Sequence, residues 1–335
     1  MASKALVHGA RIAVEQCLGV RAGEVVLVVC DRPCRSIGRA LFDAAVRLGA
    51  DAQLMEMLPR AEHGVEPPAT VAAAMAGAQV VLAPTSKSLT HTEARRTATN
   101  AGARVATLPG ITEDIMSRAL LADYGAIERR TLLLADRLRG KSTVRVNTPA
   151  GTDITFSVSG REPYSDTGVL RKPGITNLPA GEAFLAPVEG TGEGIIAVDG
   201  SIGTSGILES PIFIRVERGY ATDIGGHPYA GKLVEAMERV GPEARNLAEL
   251  GIGTNEAARL VGNVLEDEKI LGTVHLAFGD NRSMGGTVRA PFHQDGILLR
   301  PTVWVDGECV LRDGKLLVGQ HEGGKWSRRP TPRGT

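Results

Sequence analysis

A chain of 335 residues that is 43% hydrophobic and 23% charged is long enough for about two domains and a sizeable buried core. Its 38 Lys and Arg balance 38 Asp and Glu, and that zero net charge argues against nucleic acid or an anionic membrane surface as a general partner. Four cysteines make no disulfide scaffold, and Cys30 and Cys34 (CDRPC) have no second pair at zinc spacing, so the thiols are expected to be structural. No window approaches ~18 uncharged apolar residues, and MASKALVHGARIAVEQ lacks the apolar stretch of a signal peptide. The expected setting is a reducing cytoplasm.

Residues 3–18 carry Leu6, Ala10, Ile12, Ala13 and Leu18 at near-helical spacing. They precede EVVLVVC (Glu24–Cys30), a continuous β-branched run of the kind buried on both faces of a parallel sheet. Helix Ile37–Leu48, strand Ala52–Met57, helix Thr70–Met75, strand Gln79–Pro84, helix Thr90–Ala101 and strand Arg104–Pro109 continue the alternation. This predicts an N-terminal α/β domain over 1–120 with an open parallel sheet. A helical connector follows over 121–141. From 142 the texture changes to short alternating strands, opening with a hairpin of TVRVNTP and ITFSVSG around the turn AGTD. Pro242–Leu250, with Pro near its start and Gly251 just beyond, reads as a helix, and Asn255–Leu265 as another. The rest of 142–323 is expected to be a mostly antiparallel β domain, and 324–335 a mobile basic tail.

Several familiar motifs fail. The turn after the first long strand has no G-x-G-x-x-G, and Arg139-Gly140-Lys141-Ser142 ends like a phosphate loop but has Ala135 where the first Gly belongs. His321-Glu322 is not followed by the second His of H-E-x-x-H, and no G-x-S-x-G occurs. GTGEG (Gly190–Gly194) lies between strands with no helix to follow, and is expected to be a turn. His275 in TVHLAFGDN and His293-Gln294-Asp295 in PFHQDGILL remain. Residues two apart on a strand share a face, so His293 and Asp295 project together. Val274, Leu276 and Phe278 line one face of their strand and aim His275 at the other. Two imidazoles and a carboxylate on adjacent strands suit a divalent metal, although H-x-D alone reads more simply as a His–Asp hydrogen-bonded pair beside an unrelated core histidine.

Asn177–Gly194, Asn246–Asn255, Glu266–Asn281 and Pro291–Gly296 occur in an order that resembles the thermophilic metalloaminopeptidases of the aminopeptidase T and S type. The resemblance spans about residues 150–315, with the N-terminal half similar in pattern only. It implies a homodimer whose β-rich domain carries a two-metal centre of zinc or cobalt, with manganese as a further candidate. Carried over residue by residue, it marks Glu182, Glu249, His275, His293 and Asp295 as metal ligands, with Glu268 as a further candidate two residues out of spacing. The catalytic tyrosine that the family places seven residues after the first histidine is Arg282 here.

The resemblance implies a metal-dependent, aminopeptidase-like hydrolase acting on a peptide or small-molecule amide. A metal-bound water would be its nucleophile, Glu182 a ligand or general base, and Arg282 the stabiliser of the oxyanion. A second expectation is a mononuclear non-haem Fe(II) oxygenase, because His275, His293 and Asp295 form a 2-His-1-carboxylate set. The fold also resembles that of the dihydroxypyridine ring-opening dioxygenases. Glu182 and Glu249 are needed for two metals and superfluous for one, which favours the hydrolase. A third expectation is a metal-binding protein without catalysis.

Overall fold

The computed structural model describes residues 3–318. The tail expected over 324–335 lies outside the described residues. A parallel sheet runs in the order Asp51–Met57, Val25–Asp31, Val80–Thr85, Arg104–Pro109 and Gly174–Asn177. Alternate residues of its central strands feed two cores. Val26, Val28, Val80, Leu82, Ala106 and Leu108 pack with residues of helices Lys4–Ile12 and Arg35–Arg47. Leu27, Val29, Val81, Ala83 and Val105 pack on the opposite side with helices Ala69–Gly77 and Glu93–Asn100. The continuous apolar runs are therefore buried on both faces, as a parallel sheet demands.

Two antiparallel sheets make up the β-rich part. An eight-stranded one runs Tyr220–Gly225, Ile212–Glu217, Glu193–Val198, Asp153–Ser157, Thr143–Asn147, Thr302–Val305, Glu308–Arg312, Lys315–Leu316. A five-stranded one runs His293–Leu298, Val274–Gly279, Leu247–Gly253, Glu182–Leu185, Tyr164–Asp166. Their inner faces share one core, in which Ile154, Phe156, Ile196 and Ile214 meet Leu185, Leu250, Ile252, Leu276 and Phe278. The fold is thus mixed α/β, with one parallel and two antiparallel sheets.

Three features depart from the sequence reading. The segment expected as helix Pro242–Leu250 is a short 3-10 turn, Pro242–Arg245, followed by the buried strand Leu247–Gly253. Leu250 and Ile252 enter the core while Glu249, Gly251 and Gly253 alternate with them, a period of two that the flanking Pro and Gly had masked. Asn255–Leu265 is not a helix either, and helical structure begins only at Val264–Asp267. Asn255 holds the loop, donating from Nδ2 to Ala180 O and accepting from the N–H groups of Ala257 and Ala258. Conversely, Tyr229–Val240 is a helix that buries Ala230, Leu233 and Met237 and stops at Gly241, whose φ of 116° suits glycine. All four cysteines are free, and Cys17, Cys30 and Cys34 are buried. Among the described residues, no helix is long and apolar enough to cross a membrane.

Candidate metal centre

The five-stranded sheet turns its second face to a cluster of acids and imidazoles. In the strand Val274–Gly279, Val274, Leu276 and Phe278 enter the core and His275 points the other way, only 1% exposed. Register places His275 opposite Gly251, Ala277 opposite both Glu249 and Asp295, and Gly253 opposite Glu182. The small partners leave room for the polar side chains. A Cβ on Gly251 would lie 1.9 Å from His275 Nε2, so the imidazole lies over a position that only glycine leaves open.

His275 Nε2 lies 3.1 Å from Glu182 Oε2 and 3.5 Å from Glu249 Oε1. His293 Nε2 lies 3.1 Å from Glu249 Oε2 and 3.5 Å from Asp295 Oδ1. The Glu249 carboxylate thus spans the gap between the two imidazoles. Three donor groups close to within 4.8 Å: Glu182, Glu249 and His275; Glu249, His293 and Asp295; and Glu268, His275 and Asp295. Both ring nitrogens of His275 are buried without a well-angled hydrogen bond, despite the carboxylates nearby. A buried imidazole without a well-angled hydrogen bond, ringed by carboxylates, suits a divalent metal site. His293 Nδ1 pairs with Asp280 O at 2.9 Å, which leaves Nε2 as the nitrogen aimed at the cluster.

Burial of His275 and the partial desolvation of His293, whose side chain is 33% exposed, disfavour the imidazolium forms. Glu182 and Glu249 beside the first, and Asp295 and Glu249 beside the second, outweigh this and raise both well above the usual histidine range.

A buried lysine, which the sequence reading missed, completes the cluster. Lys269 Nζ donates to Glu182 Oε1 at 2.5 Å and forms an ion pair with Glu268 Oε1 at 2.6 Å, with Asp166 Oδ2 at 4.0 Å. Burial alone would lower its pKa, but these three carboxylates raise it well above the lysine norm. Burial, with Glu182 and Asp295 adding to it, pushes Glu268 up to about 8 against the pull of Lys269. The available signal was the EDEK run, Glu266–Lys269, placed just before the strand of His275. Each residue of the run has a fixed partner: Glu266 pairs with Arg118, Asp267 accepts from Ser201 Oγ at 2.6 Å, and Glu268 and Lys269 pair with each other.

The structure therefore brings Glu182, Glu249, Glu268, His275, His293 and Asp295 together. Arg282 is not among them. It is exposed on the turn Arg282–Met284, and its backbone N–H, rather than its guanidinium, bonds to Asp280 Oδ1.

The fold is shared by two solved enzymes. The 2,5-dihydroxypyridine dioxygenase from Pseudomonas putida KT2440 superposes with a TM-score of 0.81 at 20% identity, covering 93% of this chain and 96% of that one. Wild-type AmpT from Thermus thermophilus superposes at 0.70 with 20% identity, covering 94% and 99%. Residues 6–318 match the family described as NicX, 2,5-dihydroxypyridine 5,6-dioxygenase, and the chain belongs to that family. No curated protein matches the sequence. The kinship with AmpT agrees with the expected fold family. The expectation of an aminopeptidase-like zinc hydrolase is overturned, because a match over nearly the whole chain assigns it to a family of dioxygenases. The oxyanion role given to Arg282 falls with it. An enzyme with a cluster of donors for a divalent metal remains.

Proposed function

We propose that this protein is a mononuclear non-haem Fe(II) dioxygenase that opens a small hydroxylated heteroaromatic ring, 2,5-dihydroxypyridine being the first substrate to try. The observation that carries the reading is the family match over residues 6–318. The site supports it, with His275, His293 and Asp295 on adjacent strands as the ligands that would hold the iron. Bound ferrous iron would supply the one-electron chemistry that lets ground-state O2 react with an electron-rich ring. Both oxygen atoms enter the product as the bond between C5 and C6 breaks, so substrate and O2 balance without a further reductant.

The chain's own residues have separate tasks. His293 is oriented through Asp280 O, and buried His275 is shielded from water by its strand and by Gly251. To Glu249, 7% exposed and facing both imidazoles, we assign the proton of a ring hydroxyl. Glu182 is held by Lys269 and keeps its charge beside His275.

The test is anaerobic loading of the metal-free protein with Fe(II), followed by O2 uptake with 2,5-dihydroxypyridine and its isomers. Stoichiometric O2 consumption with loss of the ring's absorbance is expected. No uptake with any dihydroxypyridine or dihydroxybenzene removes the reading.

A further inference from the structure

The donor groups of the centre overlap: Glu182, Glu249 and His275; Glu249, His293 and Asp295; and Glu268, His275 and Asp295. Lys269 intrudes on the first through Glu182 and on the third through Glu268, and leaves the second untouched. Its side chain is 1% exposed, and its Nζ binds the Glu182 oxygen that faces away from His275, together with Glu268. Glu182 thus bridges an imidazole and an ammonium, much as a carboxylate bridges two metal ions.

Burying an ammonium costs several kcal/mol before pairing, and removing it alone would leave its carboxylate partners without a counter-charge, so Lys269 is tied to the groups around it. Its ammonium sits among the acid groups of Asp166, Glu182 and Glu268 and pairs most directly with Glu182, which keeps its charge. An ammonium is a compact cation with donors only, and it carries no open position for water or substrate.

We propose that Lys269 takes the place of a second divalent cation, occupying Glu182 and Glu268 and so limiting the centre to one metal ion held by His275, His293 and Asp295. This inference rests on the mononuclear reading above. Lys269 is a positioning residue: it touches the carboxylates, not the reacting atoms.

The full chain, stripped with a chelator, is titrated with Mn(II), with bound metal counted by equilibrium dialysis and its state read by electron paramagnetic resonance. Wild type is expected to saturate at one Mn(II) per chain with the resolved spectrum of an isolated ion. Lys269→Met and Lys269→Gln are expected to take two, with the broadened spectrum of an exchange-coupled pair. Lys269→Met/Glu268→Gln, which lacks a carboxylate of the vacated position, is expected to return to one. If the single variants unfold without metal, recovery of the native circular dichroism at two Mn(II) per chain supports the proposal, and no recovery overturns it. One ion in folded single variants overturns the role of the lysine and leaves the oxygenase reading standing. Two ions in wild type overturn both. The expected stoichiometry without O2 uptake sinks only the oxygenase reading.

Discussion

At the scale of single residues, the cluster divides into groups that hold a metal and groups that act around it. His293→Ala and Asp295→Ala should lower Fe(II) affinity by more than about 100-fold, beyond the 10–100-fold typical of outer partners. Glu249→Gln should keep the metal and lower kcat by about 10²–10⁴-fold, the usual contribution of a general base. Competitive metal titration and steady-state kinetics separate these outcomes, and loss of metal from Glu249→Gln would make Glu249 a ligand instead. The imidazoles also fix the sign of the pH dependence. Their carboxylate neighbours raise both pKa values, so the metal-free protein holds these protons to higher pH than free imidazoles would. Metal must displace those protons, so affinity rises with pH and uptake releases protons. Calorimetry in buffers of different ionisation enthalpy reads that release directly.

At the scale of elements, the strand Leu247–Gly253 presents Glu249 and makes room for His275. Gly251→Ala would set a methyl group 1.9 Å from the ring nitrogen. It should cost about 1–3 kcal/mol as overpacking and weaken metal binding, because the ring must rotate away. Thermal melts with and without metal test it, and an unchanged metal affinity would mean that the ring has other room. The EDEK turn makes a second case. Arg118, 17% exposed, pairs with Glu266, which is fully buried. Arg118→Met leaves that carboxylate without its counter-charge and with the Arg259 N–H still bonded to it, and urea unfolding should show a loss of about 3 kcal/mol. The local pattern placed His275 on the polar face of its strand. It misread Pro242–Leu250 as a helix, running into what is the strand Leu247–Gly253, because Pro242 and Gly251 punctuate that stretch as they would a helix.

At the scale of the whole molecule, the helix Tyr124–Leu138 joins the two parts of the fold. Tyr124 and Ile127 pack in the core under the parallel sheet, and Leu134, Ala135 and Leu138 in the core between the antiparallel sheets. Leu134→Ala should cost about 2–5 kcal/mol. Because one helix serves both cores, loss of both in a single urea transition is expected, and two separate transitions would show the halves to be independent. The sequence by itself determined the alternation of strand and helix in the first half, the hairpin-rich second half, and the sharing of a face by His293 and Asp295. These follow from local periodicity, which any short window carries. Tertiary structure alone decided the rest. The strand Gly174–Asn177 crosses back to complete the parallel sheet, and Lys269 reaches Glu182 across 87 residues of chain. Neither leaves a periodic trace, because strand order and the pairing of buried charges are settled between segments only when the sheets close on one another.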